Sequence, residues 1–310
     1  MLNYTIIIPH KNIPHLLQKC LDSIPRRNDV QIIVVDDNSD SDLVDFNNFP
    51  GLNDPYIEVI FGKNEKGRKG AGYARNLGLE KAKGKWLIFA DADDFFMPCF
   101  NDVLDKHKDD ENDIIFFRVN SVYSDTLEPA KRHQSINDWL DKIQLINNWD
   151  LCYLLHNPVG KFIKRNIVEK NNIIFNEVQC ANDVFFGVKT INAAVSKKIS
   201  EEIIYCITTR VGSLTTKVSK RELLDRFTER YKSYIFLKKK RINKQLTINL
   251  TNSLCYYWMR ISRVSISQSI LLVPKMINAC GVNRGIRTVA YHLIKNDVYG
   301  YKRIFKRIKI

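Results

Sequence analysis

Aspartates at the ends of apolar runs are the residues of this chain best placed to do chemistry. Asp91 and Asp93 flank Ala92 immediately after the run Trp86 to Ala90, and Asp94 follows. In extended backbone, residues two apart leave the same face of a strand, so the two carboxylates point together. Carboxylates stranded at the tip of a buried strand are costly without a counter-charge. The pair can bind Mn²⁺ or Mg²⁺ between them and a diphosphate, or one can take the metal while the other takes a ribose hydroxyl. An acidic turn is the plainer alternative, since Asp also favours strand-to-loop junctions.

A second acidic signature, Asp36-Asp37-Asn38-Ser39, ends the apolar run Ile32 to Val35. One of these carboxylates can accept hydrogen bonds from a nucleobase or ribose, and Asp37, Asn38 or Ser39 can also cap the next turn. Between the two signatures lies a basic, glycine-rich loop. Its Gly67, Gly70 and Gly72, with Arg68, Lys69 and Arg75, suit a segment lying near phosphates or a base. The stretch Gly70 to Arg75 faintly echoes a dinucleotide fingerprint but fails it. Arg75 stands where the third glycine belongs, and charged residues rather than a strand precede it. Further along, Asp183 opens a helix pattern with Val184, Phe185, Val188 and Ile191 on one face; a carboxylate there can cap the helix and also act as a base.

The elements that must position these groups alternate along the first half of the chain. Strands are expected at Tyr4 to Ile8, Gln31 to Val35, Tyr56 to Phe61, Lys85 to Ala90 and Ile114 to Val119, the first stopped by Pro9. Helices are expected around Leu16 to Ile24 and Ala71 to Ala82. The stretch from about 120 to 215 is less regular, with a short helix near Asn166 to Lys170 and a late strand at Ile203 to Ile207. Short apolar strands alternating with helices predict an α/β fold, a Rossmann-like, mostly parallel sheet with helices on both faces. Ligands of such sheets sit beyond the carboxyl ends of the strands. Right-handed crossovers would bring Pro9 to Asn12, Asp36 to Ser39 and Asp91 to Asp94 to one rim.

The 310 residues are 45% hydrophobic and 11% aromatic, enough for one large α/β domain with an appendage and too apolar for wholesale disorder. Seven scattered cysteines with no CxxC pair suit reduced, buried thiols. The apolar run after the first methionine is too short for a signal peptide, and no stretch approaches a membrane span, so a cytoplasmic protein is expected. The net charge of +14 is uneven: Ser219 to Ile310 hold 21 Lys and Arg against 4 Asp and Glu. The chain is therefore divided into residues 1–218 and a basic, helical C-terminal region, 219–310. Within the first part, a nucleotide-sugar half of about 1–119 precedes an acceptor half of about 120–218.

Together these pieces resemble the GT-A-fold, family 2 glycosyltransferases. The resemblance runs through TIIIPHKN (5–12), VQIIVVDDNSD (30–40) and ARNLGLEKAKGKWLIFADADD (74–94). It continues more loosely through residues 157–175, CANDVFF (180–186) and RVGSLTT (210–216). It implies a nucleotide-sugar donor, with UDP the leading nucleotide, a divalent metal and inversion at the anomeric carbon. It implies that Asp37 touches the base with Asp36, Pro9 and Asn12 nearby, and that Lys69 and Arg75 serve the nucleotide-sugar. Asp91, beside Ala92, would face the ribose or sugar, and Asp93 the metal. Asp183 would be the catalytic base, although family members usually show Glu-Asp where this chain has Asn182-Asp183. His10 and Lys11 also replace small and aromatic residues. Lys161, Arg210, Ser213 and Thr215 are candidates for the diphosphate or acceptor.

The function expected from this resemblance is inverting transfer to a glycan or lipid-linked hydroxyl, in cell-surface polysaccharide or lipopolysaccharide synthesis. Lys/Arg clusters beside apolar helix stripes fit contact with an anionic membrane surface on the cytoplasmic face; that contact is expected of 301–310, whereas the 223–235 stripe is expected to pack on the catalytic domain. Two rivals remain at this point: a metal-dependent nucleotidyltransferase, which would release pyrophosphate, and a basic nucleic-acid-binding protein. No recognised nucleic-acid motif is present, and the basic charge lies apart from the acidic rim in sequence.

Overall fold

The apolar runs become strands of one sheet. In chain order β1 (Tyr4–His10), α1 (Pro14–Asp22), β2 (Val30–Asp36), β3 (Ile57–Phe61), α2 (Ala71–Lys81) and β4 (Trp86–Phe89) form the first part. They are followed by β5 (Phe95–Phe96), α3 (Phe100–His107), β6 (Ile114–Tyr123), α4 (Gln134–Ile146) and a 3₁₀ turn, Trp149–Leu154. Then come β7 (Lys161–Lys164), α5 (Arg165–Lys170), α6 (Asn182–Ala193) and β8 (Lys197–Thr209). This computed structural model describes residues 2–62, 70–210, 219–240, 242 and 244–281, and the chain separates into two compact units on either side of Ser219.

The strand order is β3-β2-β1-β4-β7-β6-β8-β5. β1–β2, β2–β3, β1–β4 and β6–β8 are parallel, whereas β7 runs antiparallel to both β4 and β6, and β5 antiparallel to β8. The sheet is thus mixed but mostly parallel. Alternation along the strands sorts the core into two layers. Tyr4, Ile6, Ile8, Trp86 and Ile88 pack with α1 and α3 on one face. Ile7, Leu87, Phe89, Ile114 and Phe116 pack against α4, α5 and α6 on the other, where Ile33 and Val35 meet Ala74 of α2.

Two local readings change. Pro9 does not stop β1, which runs on to His10 and stays in register with Val35 and Asp36 of β2. Pairing with β4 ends at Ile7–Phe89, so the proline's missing N–H falls past that ladder. The segment expected to be irregular after residue 120 instead completes the sheet. β6 and β8 are longer than their apolar cores, and they pair along 114–123 with a register shift around Arg118.

Beyond Ser219 the described chain is helical: α7 (Lys220–Lys238), α8 (Lys244–Val264), α9 (Ile266–Leu271) and α10 (Val273–Cys280). Ser219 and Glu222 form a reciprocal capping box that starts α7. Tyr234 of α7 donates to the Ala279 carbonyl at 2.9 Å, tying α7 to α10. None of the described helices is long and apolar enough to cross a membrane.

Candidate active site

The β1 and β2 ends are stitched side chain to side chain. His10 Nδ1–H donates to Asp36 Oδ1 at 2.8 Å, and its Nε2 accepts the Ile13 N–H at 3.1 Å. The Asp36 carboxylate also accepts the Ser39 N–H at 2.9 Å and the Ser39 hydroxyl at 2.5 Å. Burial alone would raise this carboxyl, but the hydrogen bonds from His10 and Ser39 outweigh it and hold it below the usual carboxylate range. Asn12 adopts a left-handed backbone (φ 58°); its N–H donates to Ser39 Oγ at 2.8 Å and its Oδ1 accepts the Asp40 N–H. Pro9 precedes His10 in β1, in register with Val35.

Asp37 is buried as well, yet differently. Both of its oxygens lie 2.8 Å from the Gly70 N–H, at the start of α2. Gly70 has φ +98°, a conformation a side chain would strain, so glycine is what lets its N–H turn toward Asp37. Burial raises the Asp37 carboxyl despite that bond and Lys11, whose Nζ lies 3.8 Å from Oδ2. Lys11 donates to the Asp37 and Asn38 carbonyls at 2.7 and 3.2 Å. Lys69, with Gly67 and Arg68, falls outside the described residues, as do Ser213, Thr215 and the 301–310 stripe.

The β4 end holds the second acidic group. The Asp91 side chain is 42% exposed, and Oδ1 takes the Arg75 guanidinium at 2.6 Å. Arg75, buried on α2, also donates to Asn182 Oδ1 at 2.8 Å and lies 5.4 Å from the Phe175 ring centre. Asn182, present where an acidic residue was expected, is thus the acceptor that links the start of α6 to Asp91. Gly72 permits that approach, because a Cβ there would meet the Asn176 carbonyl at 2.3 Å. Asp183 is the next residue of α6, whose N-cap, Ala181, has φ 59° and offers no capping side chain.

Ala92 is buried, and Asp93 beyond it is 25% exposed, with Arg210 3.9 Å from its Oδ2. Burial and the Asp91 charge raise its carboxyl above the ordinary value. Asp94 is fully enclosed, accepts the Thr208 N–H at 2.7 Å, and is pushed well up by burial, then by Asp91 and Asp93. Among the described residues no cluster of three His, Cys, Asp or Glu forms a ready cage. A hard cation held by one or two carboxylates plus phosphate oxygens needs no such cage. Asp93, ionised only at a cost and paired no more closely than the 3.9 Å to Arg210, fits that donor set.

Three contributors were not read from the sequence. The Tyr205 hydroxyl accepts the Asp91 N–H at 2.8 Å, and Thr208 Oγ1 donates to the Asp93 carbonyl at 2.7 Å. Both belong to β8, more than a hundred residues away, and only the β5–β8 and β6–β8 pairing brings them in. The third is Asn182. Conversely, Lys161 turns inward: its ammonium donates to the Asn157 and Val159 carbonyls, and burial pulls it down to about 7.

Residues 5–181 match the model of glycosyl transferase family 2. The chain belongs to that family and is a nucleotide-sugar-dependent glycosyltransferase of the GT-A fold, which decides against the two rivals. It is 24% identical over 243 residues to the uncharacterized glycosyltransferase EpsJ of Bacillus subtilis, covering 74% of this chain and 68% of that protein. It is 26% identical over 212 residues to the poly(ribitol-phosphate) beta-glucosyltransferase of Bacillus spizizenii, covering 65% of this chain and 31% of that longer protein. The crystal structure of S. aureus TarS 1–349 in complex with UDP-GlcNAc superposes with a TM-score of 0.63 at 19% identity, over 93% of this chain and 82% of that one.

Proposed function

We propose that this enzyme transfers a sugar from a UDP-linked donor, with inversion, to a hydroxyl of a glycan or lipid-linked acceptor in cell-surface polysaccharide or lipopolysaccharide synthesis. One observation carries the reading: the Asp91–Arg75–Asn182 chain joins the strand-end rim to the start of α6, where Asp183 stands. The relatives named for UDP-GlcNAc binding and for glycosylating a poly(ribitol-phosphate) support the donor and the surface-polymer acceptor.

In this reading residues 1–218 are the catalytic domain and 219–310 a basic helical region that meets an anionic membrane on the cytoplasmic side. Asp37, with Pro9 and Asn12, borders the base. Asp36 acts from behind by fixing His10 and Ser39. Arg75 orients Asp91 toward the ribose or sugar, beside Ala92, and Lys69 serves the phosphates. Asp93 would hold Mn²⁺ or Mg²⁺, which when bound offsets charge on the diphosphate. Asp183 takes the proton of the acceptor hydroxyl as its oxygen bonds to the anomeric carbon. The bond from that carbon to the diphosphate breaks on the opposite face, and a nucleoside diphosphate departs.

A panel of nucleotide sugars tests this by thermal shift and by nucleoside-diphosphate release, each with and without Mn²⁺. A UDP-sugar that stabilises the protein and is hydrolysed only with the cation is the expected result. Response to no donor, or release of pyrophosphate instead, would overturn it.

A further inference from the structure

One described helix after Ser219, α9, displays its apolar side chains on the wrong side. In α9 the buried residue is Ser269, whereas Ile266, Ile270 and Leu271 are 60%, 54% and 68% exposed. Val264, ending α8, is 55% exposed and extends the same elbow. A helix packed on a core and facing water has the reverse arrangement.

The elbow is anchored. Trp258, fully buried, donates its indole N–H to the Ser269 carbonyl at 2.9 Å, and the Ser269 hydroxyl donates to the Ile266 carbonyl at 2.7 Å. Leu272 and Met276 are buried just beyond. Inward anchoring of Ser269, Leu272 and Met276 therefore fixes Ile266, Ile270 and Leu271 outward. Basic residues flank the ridge in the chain: Arg263 is exposed directly before Val264, and the half-buried Lys275 follows on α10, its ammonium 5.6 Å from the Tyr231 ring centre. No Asp or Glu occurs between Glu229 and Asp297, and Glu222 and Glu229 are buried.

We propose that the α8–α9 elbow, Val264 to Leu271, inserts its apolar side chains into the headgroup and acyl boundary of an anionic bilayer, with Arg263 and Lys275 on the lipid phosphates. Aliphatic side chains rimmed by cations match that interface in both hydrophobicity and charge. A second copy of the chain fits less well, because self-association through this face would bring two cationic rims together. The inference gives the proposed membrane contact a definite element and stands or falls independently of the transfer reaction.

Vesicle flotation of the full chain tests it, using equimolar phosphatidylglycerol and phosphatidylcholine against phosphatidylcholine alone. The wild type is expected to float with the anionic vesicles only. The variant Ile266→Ser/Ile270→Ser/Leu271→Ser should lose partitioning on the order of 100-fold while its thermal shift with a UDP-sugar matches wild type. Arg263→Gln/Lys275→Gln should lose roughly tenfold and much of the salt sensitivity. Ile270→Ser alone, expected to lose about fivefold, keeps the test readable if the triple variant does not fold. Undiminished flotation of the serine variants, or equal binding of wild type to both vesicle types, would overturn the proposal. A serine variant that shifts from dimer to monomer in sedimentation with flotation unchanged would assign the ridge to a second copy instead.

Discussion

Two carboxylates on the same rim, Asp36 at the end of β2 and Asp93 beyond β4 on the other side of β1, are treated in opposite ways. Asp36 receives an imidazole N–H, a backbone N–H and a hydroxyl, and its ionised form is favoured despite burial. Asp93 has a guanidinium only at 3.9 Å and two acidic neighbours, and its ionised form is disfavoured. A satisfied buried carboxylate holds the fold together. A weakly paired one at the strand-end rim is a place where something charged can be received. Both end apolar strands with the same residue type, so only the partners tell them apart.

The sharpest way to break this contrast is Asp93→Asn. Transfer should fall on the order of 1,000-fold, and the thermal shift produced by Mn²⁺ should vanish. The fold itself should keep or gain stability, because an unfavourable buried charge is removed. A calorimetric scan with and without Mn²⁺ checks both halves; a destabilised Asp93→Asn protein would make Asp93 structural. Next in size, Asp183→Asn should cost about 100-fold or more in turnover, with donor binding and melting temperature retained. Near-normal sugar transfer by that variant would reassign the base.

Much of this was legible from residue types. The runs around Ile6, Val34 and Ile88 predicted strands, and the polar signatures that follow them predicted one shared rim. The Asp36–Asp93 distinction was not legible, because it depends on His10 across β1–β2 and on Arg210 at the end of β8. β7 was missed for a similar reason. Its sequence, Lys161 to Lys164, carries lysines at both ends and reads as exposed, yet Phe162 and Ile163 are buried in mid-sheet between β4 and β6. Arg75 was expected near phosphates and is found spanning Asp91 and Asn182, a pairing that requires α2 and α6 to be neighbours.

The contrast also sets a stability difference. Asp36→Ala leaves the His10 Nδ1–H and the Ser39 groups without their acceptor in a buried corner, which should cost about 3 kcal/mol in urea unfolding. An effect below about 0.5 kcal/mol would show the corner to be dispensable.

The smallest effect expected lies in the pH dependence of unfolding. Asp36 has a depressed carboxyl, so its contribution is present above the unfolded value near 3.8 and is lost as pH falls through the folded value below it. Asp93 has a raised carboxyl, so the folded state binds the extra proton first. Its penalty is present at neutral pH and fades as pH falls through the raised value toward 3.8. Stability of wild type minus that of Asp93→Asn should therefore become more favourable on acidification from neutral pH, before any loss attributable to Asp36 begins. Asp37 and Asp94 are raised too; the difference between the two proteins cancels Asp37 and reports Asp93 together with its repulsion of Asp94. Urea titrations at stepped pH values measure it. A difference that is flat with pH would mean that the fold leaves the ionisation of Asp93 unperturbed, and one that turns less favourable on acidification that the fold alone stabilises its charged form; in either case an incoming cation at that carboxylate would lose its physical basis.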